Sequence, residues 1–458
     1  MERAQFMSDA QWRKAIATHC RDESSFGPGL KYTGGAGSQA DVLAKLTEQN
    51  GERFARLLLT LPGSTNTSYV NGIVRGLTKS QVDLQTLEKV IDHSLAFGPD
   101  VADAVARLLE AHTGLDLPAR LLDVLVSIID HTPGPVDLTD LEPVGLEWSA
   151  LHTTPAAALH ALWNLIAEDS ARFDHVRSAL EELAKDSRPA VRATLPGALT
   201  PALYIDPDYA TRVFNEAVEG HPPQLLGSPP VEFFVGHAVR RGRFADIDPV
   251  ITSMLASGVD DICKIGARHL ALASFHDEAL DDRVDKLIGD PRPTVREAAI
   301  EVFARSIAVA RKERCVAVVA TGLKDSVKEV REAAGQVFHE TPSLPFDGLS
   351  PLLTALIEGA AITDHAGTMA LHWLAISRRR LPVLALDVCE AFMAAAGKDV
   401  GDIRTHASAD SREIVRIVLR LHGQHSDPAV RDRCLDLVDQ LLLHRAHGIE
   451  QGLEEHDH

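Results

Sequence analysis

Apolar residues recur along most of the chain at intervals of three and four positions, which is the period of one face of an α-helix. The clearest example lies between residues 290 and 303, where the apolar positions would form one continuous stripe. This stripe consists of Val295, Ala298, Ala299, Val302 and Phe303. Because one helix cannot bury such a stripe alone, the pattern predicts that neighbouring helices cover it.

The same pattern returns along the chain, and its recurrence predicts the architecture. Segments that begin at Asp290 and Asp325 share a Val-Arg-Glu-Ala-Ala run and a Val-Phe pair in the same register. Further copies, two related and two degenerate, begin at Asp186, Ser426, Asp260 and Asp402. A repeat unit of about 27 to 37 residues holds two helices and two turns, so the chain is predicted to be a stack of helical pairs.

Other residues keep fixed places in these copies. Pro189, Pro293 and Pro428 each stand two positions before a valine and predict the first turn of a helix, where a missing amide costs nothing. Asp427 is predicted to be an N-cap. Aspartates before the helices and arginines after the valines predict a structural ladder that holds successive turns in register. Its members are Asp186, Arg192, Asp290, Arg296, Asp325, Arg331, Asp427 and Arg431.

This D-x-x-x-x-V-R-x-x-A pattern resembles HEAT and related armadillo-type repeats. The resemblance is strong over residues 255–340 and fair over 180–215 and 400–445. It implies an all-α fold, a right-handed α-α superhelix (HEAT/armadillo-like solenoid) of antiparallel helix pairs.

Helical spacing continues through the less regular N-terminal part of the chain. Predicted helices there cover residues 41–61, 84–94, 100–112, 118–129, 154–167 and 171–185. A proline-rich break at 221–230 suggests either a subdomain boundary or a kink in the superhelix. The predicted regions are an N-terminal segment with a Gly-rich loop (1–38), irregular helical repeats (39–220) and C-terminal HEAT-like repeats (221–458), the last two being separate or one continuous solenoid.

Composition narrows the range of partners. Hydrophobic residues make up 45% and aromatic residues 5% of the 458 residues, which favours packed helices over a sheet. The formal charge of −19 repels phosphate backbones, so nucleic acid is disfavoured as a partner. Arg240, Arg241 and Arg243, and the run 378–380, are either solvated helix ends or an anion-binding patch.

Candidate chemistry is sparse, and the sequence predicts no cofactor, no metal site and no enzyme activity. The glycine-rich segment 34–38 lacks the Lys-Ser/Thr ending of a nucleotide-binding loop. Histidine spacings form no H-E-x-x-H motif, and no G-x-S-x-G elbow is present. Five scattered cysteines without a C-x-x-C pair fit a reducing cytosol. A cytoplasmic protein without signal peptide or membrane span is therefore expected.

Both ends of the chain suggest a second resemblance. The N-terminal residues Gly34-Gly-Ala36, Glu52–Leu58, Tyr69 and Ile73–Leu77, and the C-terminal residues Arg431–Leu442 and Gly448–Leu453, are similar to large bacterial ATP-binding proteins of the STAND/NACHT type. The resemblance implies that this chain corresponds to the C-terminal helical region of such proteins. In proteins of that type this region senses a ligand or partner, including in defence against phage. ATPase activity is not implied, because Walker motifs are missing.

Two functional hypotheses follow. The first is a scaffold or sensor that binds a protein partner, with its oligomeric state left open. The alternative is a HEAT-like enzyme acting on nucleic acid, similar to alkylpurine DNA glycosylases, which requires a basic groove. Trp12, Trp148, Trp163 and Trp373 are either interface or core residues, and the apolar helices around Trp163 and Trp373 favour the core.

Overall fold

The computed structural model describes residues 4–21, 25–27, 31–33, 35–132, 153–220, 223–340, 349–376, 381–402, 404–446 and 449. Within these ranges the secondary structure is helical apart from one short antiparallel hairpin, so the predicted all-α solenoid of antiparallel helix pairs is confirmed. No helix in the described part of the chain combines the length and the apolar character needed to cross a membrane.

The chain folds as two compact units, Met1–Val250 and Ile251–His458. The first unit holds the hairpin strands β1 (Ser25–Gly27) and β2 (Lys31–Thr33). Its helices are α1 (Asp9–Thr18), α2 (Ala36–Gln49), α3 (Gly51–Leu58), α4 (Thr67–Leu77), α5 (Leu84–Leu95), α6 (Ala102–Ala111), α7 (Ala119–His131), α8 (Thr154–Glu168), α9 (Arg172–Leu183), α10 (Pro189–Leu199), α11 (Ala202–Ile205), α12 (Pro207–Val218), α13 (Pro229–Arg240) and the first half of α14 (Phe244–Leu255).

Two rows of helices make up this first unit. In the first row, α2, α4, α6, α8, α10 and α13 pack side by side, each against the next. The helices between them, α3, α5, α7, α9 and α12, form the second row. Because the chain alternates between the rows, each pair covers the apolar stripe of its neighbours, as the repeat pattern predicted.

The second unit repeats this arrangement. After the end of α14, its helices are α15 (Asp260–Ala273), α16 (Asp281–Ile288), α17 (Pro293–Ser306), α18 (Lys312–Leu323), α19 (Lys328–Gly335), α20 (Val337–Glu340), α21 (Ser350–Glu358), α22 (His365–Ile376), α23 (Pro382–Ala396), α24 (His406–Gln424) and α25 (Pro428–Leu443). Its first row is α15, α17, α19, α22 and α24, and its second row includes α18, α21, α23 and α25.

The repeat signature corresponds to first-row helices. The apolar stripe of α17 is buried throughout, with Val302 the most exposed of its members at 7%. Pro189, Pro293 and Pro428 each open a helix, which confirms that prediction. The copy at 426–431 is different, because α25 belongs to the second row, whereas α10, α17 and α19 belong to the first.

Several predicted boundaries differ from the structure. The helix predicted over 41–61 is two helices that change direction at Asn50. Residues 36–38 of the glycine-rich segment, which was expected to be a loop, are the first residues of α2, and Gly35 is its N-cap. The two units divide after Val250, and α13, which follows the proline-rich break, packs against α10 within the first unit.

Close helix contact in the first row depends on small residues of α2 and α4. A β-carbon built at Gly72 would lie 2.5 Å from the carbonyl oxygen of Ala40. One built at Gly76 would lie 2.4 Å from the carbonyl oxygen of Ala44 and 2.5 Å from Cβ of Thr47. The two glycines, one helical turn apart, therefore allow the backbones to approach each other more closely than any larger residue would.

Gly76→Ala is expected to lower the free energy of unfolding by about 1–3 kcal/mol, since the added methyl group meets backbone atoms that cannot move aside. Gly37→Ala is the matched control, because it lies in the first turn of α2 with nothing within 4 Å of its β-carbon position. The control should be neutral or stabilising by up to about 1 kcal/mol. Urea unfolding of both variants measures the difference, and equal effects would contradict the close contact.

Candidate functional site

The predicted Asp–Arg ladder is present in part, as two rungs in the second unit. Arg296 donates two hydrogen bonds, of 2.8 and 2.9 Å, to the carboxylate of Asp325. Arg331 donates one of 2.6 Å to Asp364, a residue that the sequence did not single out. Each pair joins one first-row helix to the turn before the next, and the paired side chains are only 10–13% exposed.

The remaining predicted ladder residues are arranged differently. Asp186 and Asp290 pair inside their own turns, with Arg188 at 2.5 Å and Arg292 at 2.9 Å. Arg192 is half-buried, and the Nε atom of its guanidinium has no hydrogen-bond partner in the described residues. Asp186, which was expected to form part of the ladder together with Arg192, is therefore paired with Arg188 inside its own turn.

Asp427 and Arg431 belong to the second row and not to the turns that carry the rungs. The Asp427 side chain caps α25 by accepting a hydrogen bond of 3.0 Å from the Ala429 amide, and Arg431 is exposed. The turn that corresponds to the earlier copies lies before α24, where Arg404 pairs with Asp402 at 2.6 Å. A proline that opens a helix within a few residues after an aspartate therefore occurs in both rows of helices.

A set of arginines that the sequence did not reveal joins successive helix pairs through main-chain carbonyls. Arg188 donates hydrogen bonds of 2.7 and 2.6 Å to the carbonyls of Ile129 and Thr132 at the end of α7. In the second unit Arg311 reaches the carbonyl of Ser274, at 2.8 Å, at the end of α15. Similar bonds join Arg172 to Leu115, Arg292 to Leu255 and Arg420 to Leu374.

The first unit carries an apolar cavity of about 400 Å³ on its first row. It lies between α8, α10 and α13, and its walls include Trp163, Gly197, Pro230 and Phe233. The rings of Trp163 and Phe233 lie 5.3 Å apart, and Phe233 is 41% exposed. Small residues on α10 leave the space, and aromatic residues from the helices on either side line it.

A second, more polar cavity of about 840 Å³ adjoins the first, because Arg107 and Glu110 line both. It extends over α4, α6 and α8. Four carboxylates and two guanidinium groups border it, so its charge is negative. The two cavities, together with the adjoining exposed surface of Tyr204, His237, Arg240 and Arg241, are named here the first-row groove.

His160 and Glu110 meet where the two cavities join. His160 Nδ1 lies 2.8 Å from a carboxylate oxygen of Glu110, which also accepts a hydrogen bond of 3.1 Å from Asn164. The hydrogen bond from His160 holds the pKa of Glu110 below its usual value. This carboxylate therefore stays charged at neutral pH.

Exposed aromatic residues continue the groove along α13. His237 lies 4.4 Å from the Phe233 ring, and its Nδ1 is 2.7 Å from the Tyr204 hydroxyl. The guanidinium of Arg241 lies over the Tyr204 ring at 5.0 Å. Tyr204 is 53% exposed, so this end of the groove presents rings and cations to solvent.

The three arginines of the predicted anion patch differ in whether they are paired with carboxylates. Arg243 is paired with Asp208 and, at 2.5 Å, with Asp246. Arg240 and Arg241 are exposed, and neither is paired with a carboxylate within the described residues. The run 378–380 lies outside the described residues.

Other candidate residues have simpler places. Trp12 and Trp373 are buried, which confirms a core position for Trp373. The core prediction for Trp163 was wrong in part, since its ring is half-buried and lines the groove. Trp148 lies outside the described residues. Over the described ranges, no group of three or more His, Cys, Asp or Glu side chains is arranged to hold a metal ion.

No family model matches the chain, and no curated protein matches it. Among solved structures, a mutant of Kap121p has a TM-score of 0.54 at 13% identity, covering 99% of this chain and 50% of that one. Kap121p bound to Pho4p has a TM-score of 0.45 at 13% identity (99% and 56% covered), and Kap95p with RanGDP one of 0.41 at 13% (97% and 62%).

The first of these similarities establishes the fold and nothing further. Kap121p is a HEAT-repeat solenoid, and the two rows of alternating helices described above have the same architecture. The chain spans about half the length of the Kap121p structures that it matches.

The buried rung predicts a selective loss of stability. Arg296→Met should lower the free energy of unfolding by about 1.5–3 kcal/mol, because the largely buried carboxylate of Asp325 would lose both hydrogen bonds from Arg296 and keep the one from the Val327 amide. Arg56→Met is the control, since the Arg56–Glu52 pair is exposed and should contribute about 0.5 kcal/mol or less. Chemical unfolding at pH 7 measures both, and equal losses would contradict the ladder.

The same variant predicts a pH dependence. Burial alone would raise the pKa of Asp325, but hydrogen bonds from Arg296 and the Val327 amide outweigh it and lower the pKa. The rung therefore contributes fully above the ordinary carboxyl pKa of about 3.9 and is lost as pH falls through the lowered value. The difference between wild type and Arg296→Met should narrow below about pH 4, and a constant difference down to pH 3 would exclude this linkage.

Proposed function

We propose that this chain is a non-catalytic scaffold or sensor and that its first-row groove binds a partner protein. The observation that carries the proposal is the groove itself, in which an apolar cavity lined by Trp163 and Phe233 adjoins a charged one. A stack of helical pairs presents such a surface without enclosing a reaction chamber.

The composition of the groove supports a protein ligand. Tryptophan, tyrosine and arginine dominate the binding energy of protein interfaces, and Trp163, Tyr204 and Arg241 lie here next to the half-exposed ring of Phe233. These rings are held in place by contacts with one another, so little conformational entropy is lost when a ligand binds. The groove is therefore preformed.

The proposal extends to the setting of the protein. We assign it to the bacterial cytosol, in association with a separate ATPase-type stress or phage-defence system, on the basis of the resemblance at both ends of the chain. Cys263, Cys315, Cys389 and Cys434 are buried free thiols, and burial raises the pKa of each. Such thiols are unreactive and need no oxidising compartment.

The groove does not favour the alternative of an enzyme acting on nucleic acid. That function requires a basic surface to hold phosphates. The larger cavity instead has an excess of carboxylates, including Asp100, Asp103 and Glu168.

Affinity capture tests the proposed function. Tagged wild-type protein should retain a stoichiometric partner from the native cytosol, and the double variant Trp163→Ala/Phe233→Ala should lose most of it, since anchors of this type contribute about 2 kcal/mol or more each. Phe6→Ala is the matched control, because it removes an aromatic ring that is 79% exposed outside the groove.

Thermal unfolding of all three proteins separates lost binding from lost folding. Equal retention by the double variant and by the wild type would show that the groove is not the binding surface. The absence of a stoichiometric partner in every preparation, including cells under stress or infection, would contradict the scaffold itself.

A further inference from the structure

Opposite charges lie at the two ends of the first-row groove. At one end, Asp100 and Glu168 line the larger cavity, are exposed, and are not paired with a cation within the described residues. At the other end, Arg240 and Arg241 are exposed and likewise free of carboxylate partners in the part of the chain that is described. The cations and anions nearer the centre neutralise one another.

The charged side chains near the centre of the groove each have an ion-pair or hydrogen-bond partner. Arg75 pairs with Asp41 at 2.6 Å and Arg107 with Asp103 at 3.0 Å. Glu110 is occupied by His160. The charge that remains for a ligand is therefore negative beside α4, α6 and α8 and positive at the end of α13.

Helical geometry connects the basic end to the apolar cavity. Phe233, His237, Arg240 and Arg241 follow one another at intervals of four, three and one, so they share one face of α13 and its C-terminal turn. Phe233 lines the cavity, and Arg241 covers Tyr204, which contacts His237. A ligand with its apolar anchor in the cavity therefore lies beside these arginines.

We infer that the first-row groove takes a peptide segment of a partner with a bulky apolar anchor at its centre, basic residues on one side and acidic residues on the other. This inference rests on the proposed function and specifies its ligand. The basic flank lies against Asp100 and Glu168, and the acidic flank against Arg240 and Arg241.

The size of the groove sets the length of the segment. From α4 to α13 the first row contains five helices, and four steps of about 8–10 Å between helix axes give about 32–40 Å. At about 3.3 Å per extended residue, this distance corresponds to about 10–12 residues. A twelve-residue peptide is therefore a suitable probe.

Four labelled twelve-residue peptides test the inference by fluorescence anisotropy at 150 mM salt. All share a central Phe-Leu pair. Two are bipolar, with Lys/Arg on one flank and Asp/Glu on the other, in the two chain orders; one has Lys/Arg on both flanks and one has Asp/Glu on both. One bipolar peptide should bind at least about tenfold more tightly than either uniform peptide.

The uniformly basic peptide is the most demanding competitor of the bipolar one. The protein carries a charge of −19, which attracts the uniformly basic peptide most strongly at long range. Asp100→Lys/Glu168→Lys should remove the preference of the bipolar peptide and strengthen binding of the uniformly acidic one. Asp174→Lys/Glu219→Lys is the control, since it changes the net charge equally at exposed positions on second-row helices or their ends. The control should leave the ranking unchanged.

Three results would overturn the inference: equal binding of the basic and bipolar peptides, an unchanged ranking in Asp100→Lys/Glu168→Lys, or binding of none of the four. Each can occur while partner capture still depends on Trp163 and Phe233. In that case the scaffold function stands and only the bipolar ligand is wrong. The opposite outcome is also informative. If no partner is captured through Trp163 and Phe233 while the bipolar peptide is still preferred, the proposed binding of a partner protein is wrong and the inferred ligand chemistry stands.

Discussion

The contact on which this fold depends is the hydrogen bond from an arginine of one helix pair to main-chain carbonyls at the end of a helix in the preceding pair. The last four carbonyls of a helix have no partner inside it, and an unpaired carbonyl is costly once it is buried. A guanidinium has five donors and stays charged in proteins, so a single side chain such as Arg188 or Arg420 can satisfy two of these carbonyls. Where such an arginine is present, one helix pair therefore completes a helix end of an earlier pair and links the two.

Sequence periodicity predicted the fold class well where the repeats keep their side-chain pattern. The stripe of α17 and the prolines that open α10, α17 and α25 are as expected, because both express local rules of helix formation. The periodicity gave no helix over 67–77, since Gly72 and Gly76 occupy positions where apolar side chains would otherwise mark the buried face of α4. The ladder was predicted only in part, because an aspartate before a helix has a choice of arginine partners that only three-dimensional packing decides.

The groove was not predictable from single helices. Trp163 stands in an apolar helix, and such a residue is usually part of the core, yet the space beside it stays open because its neighbours on α10 are small. The aromatic residues that complete the surface come from α11 and α13, which are distant in sequence. Likewise, the opposite charges of its two ends emerge only after ion pairs within the unit have neutralised the charges between them.

Carbonyl acceptors have an evolutionary consequence. Every amino acid carries the same main-chain oxygen, so the hydrogen bonds that Arg188, Arg292 and Arg311 donate do not themselves require a particular side chain at the residues that accept them. Selection can then change most of a repeat, and thereby its exposed surface, without loosening the stack. The small number of copies that still align by sequence within this chain is what such tolerant joints permit.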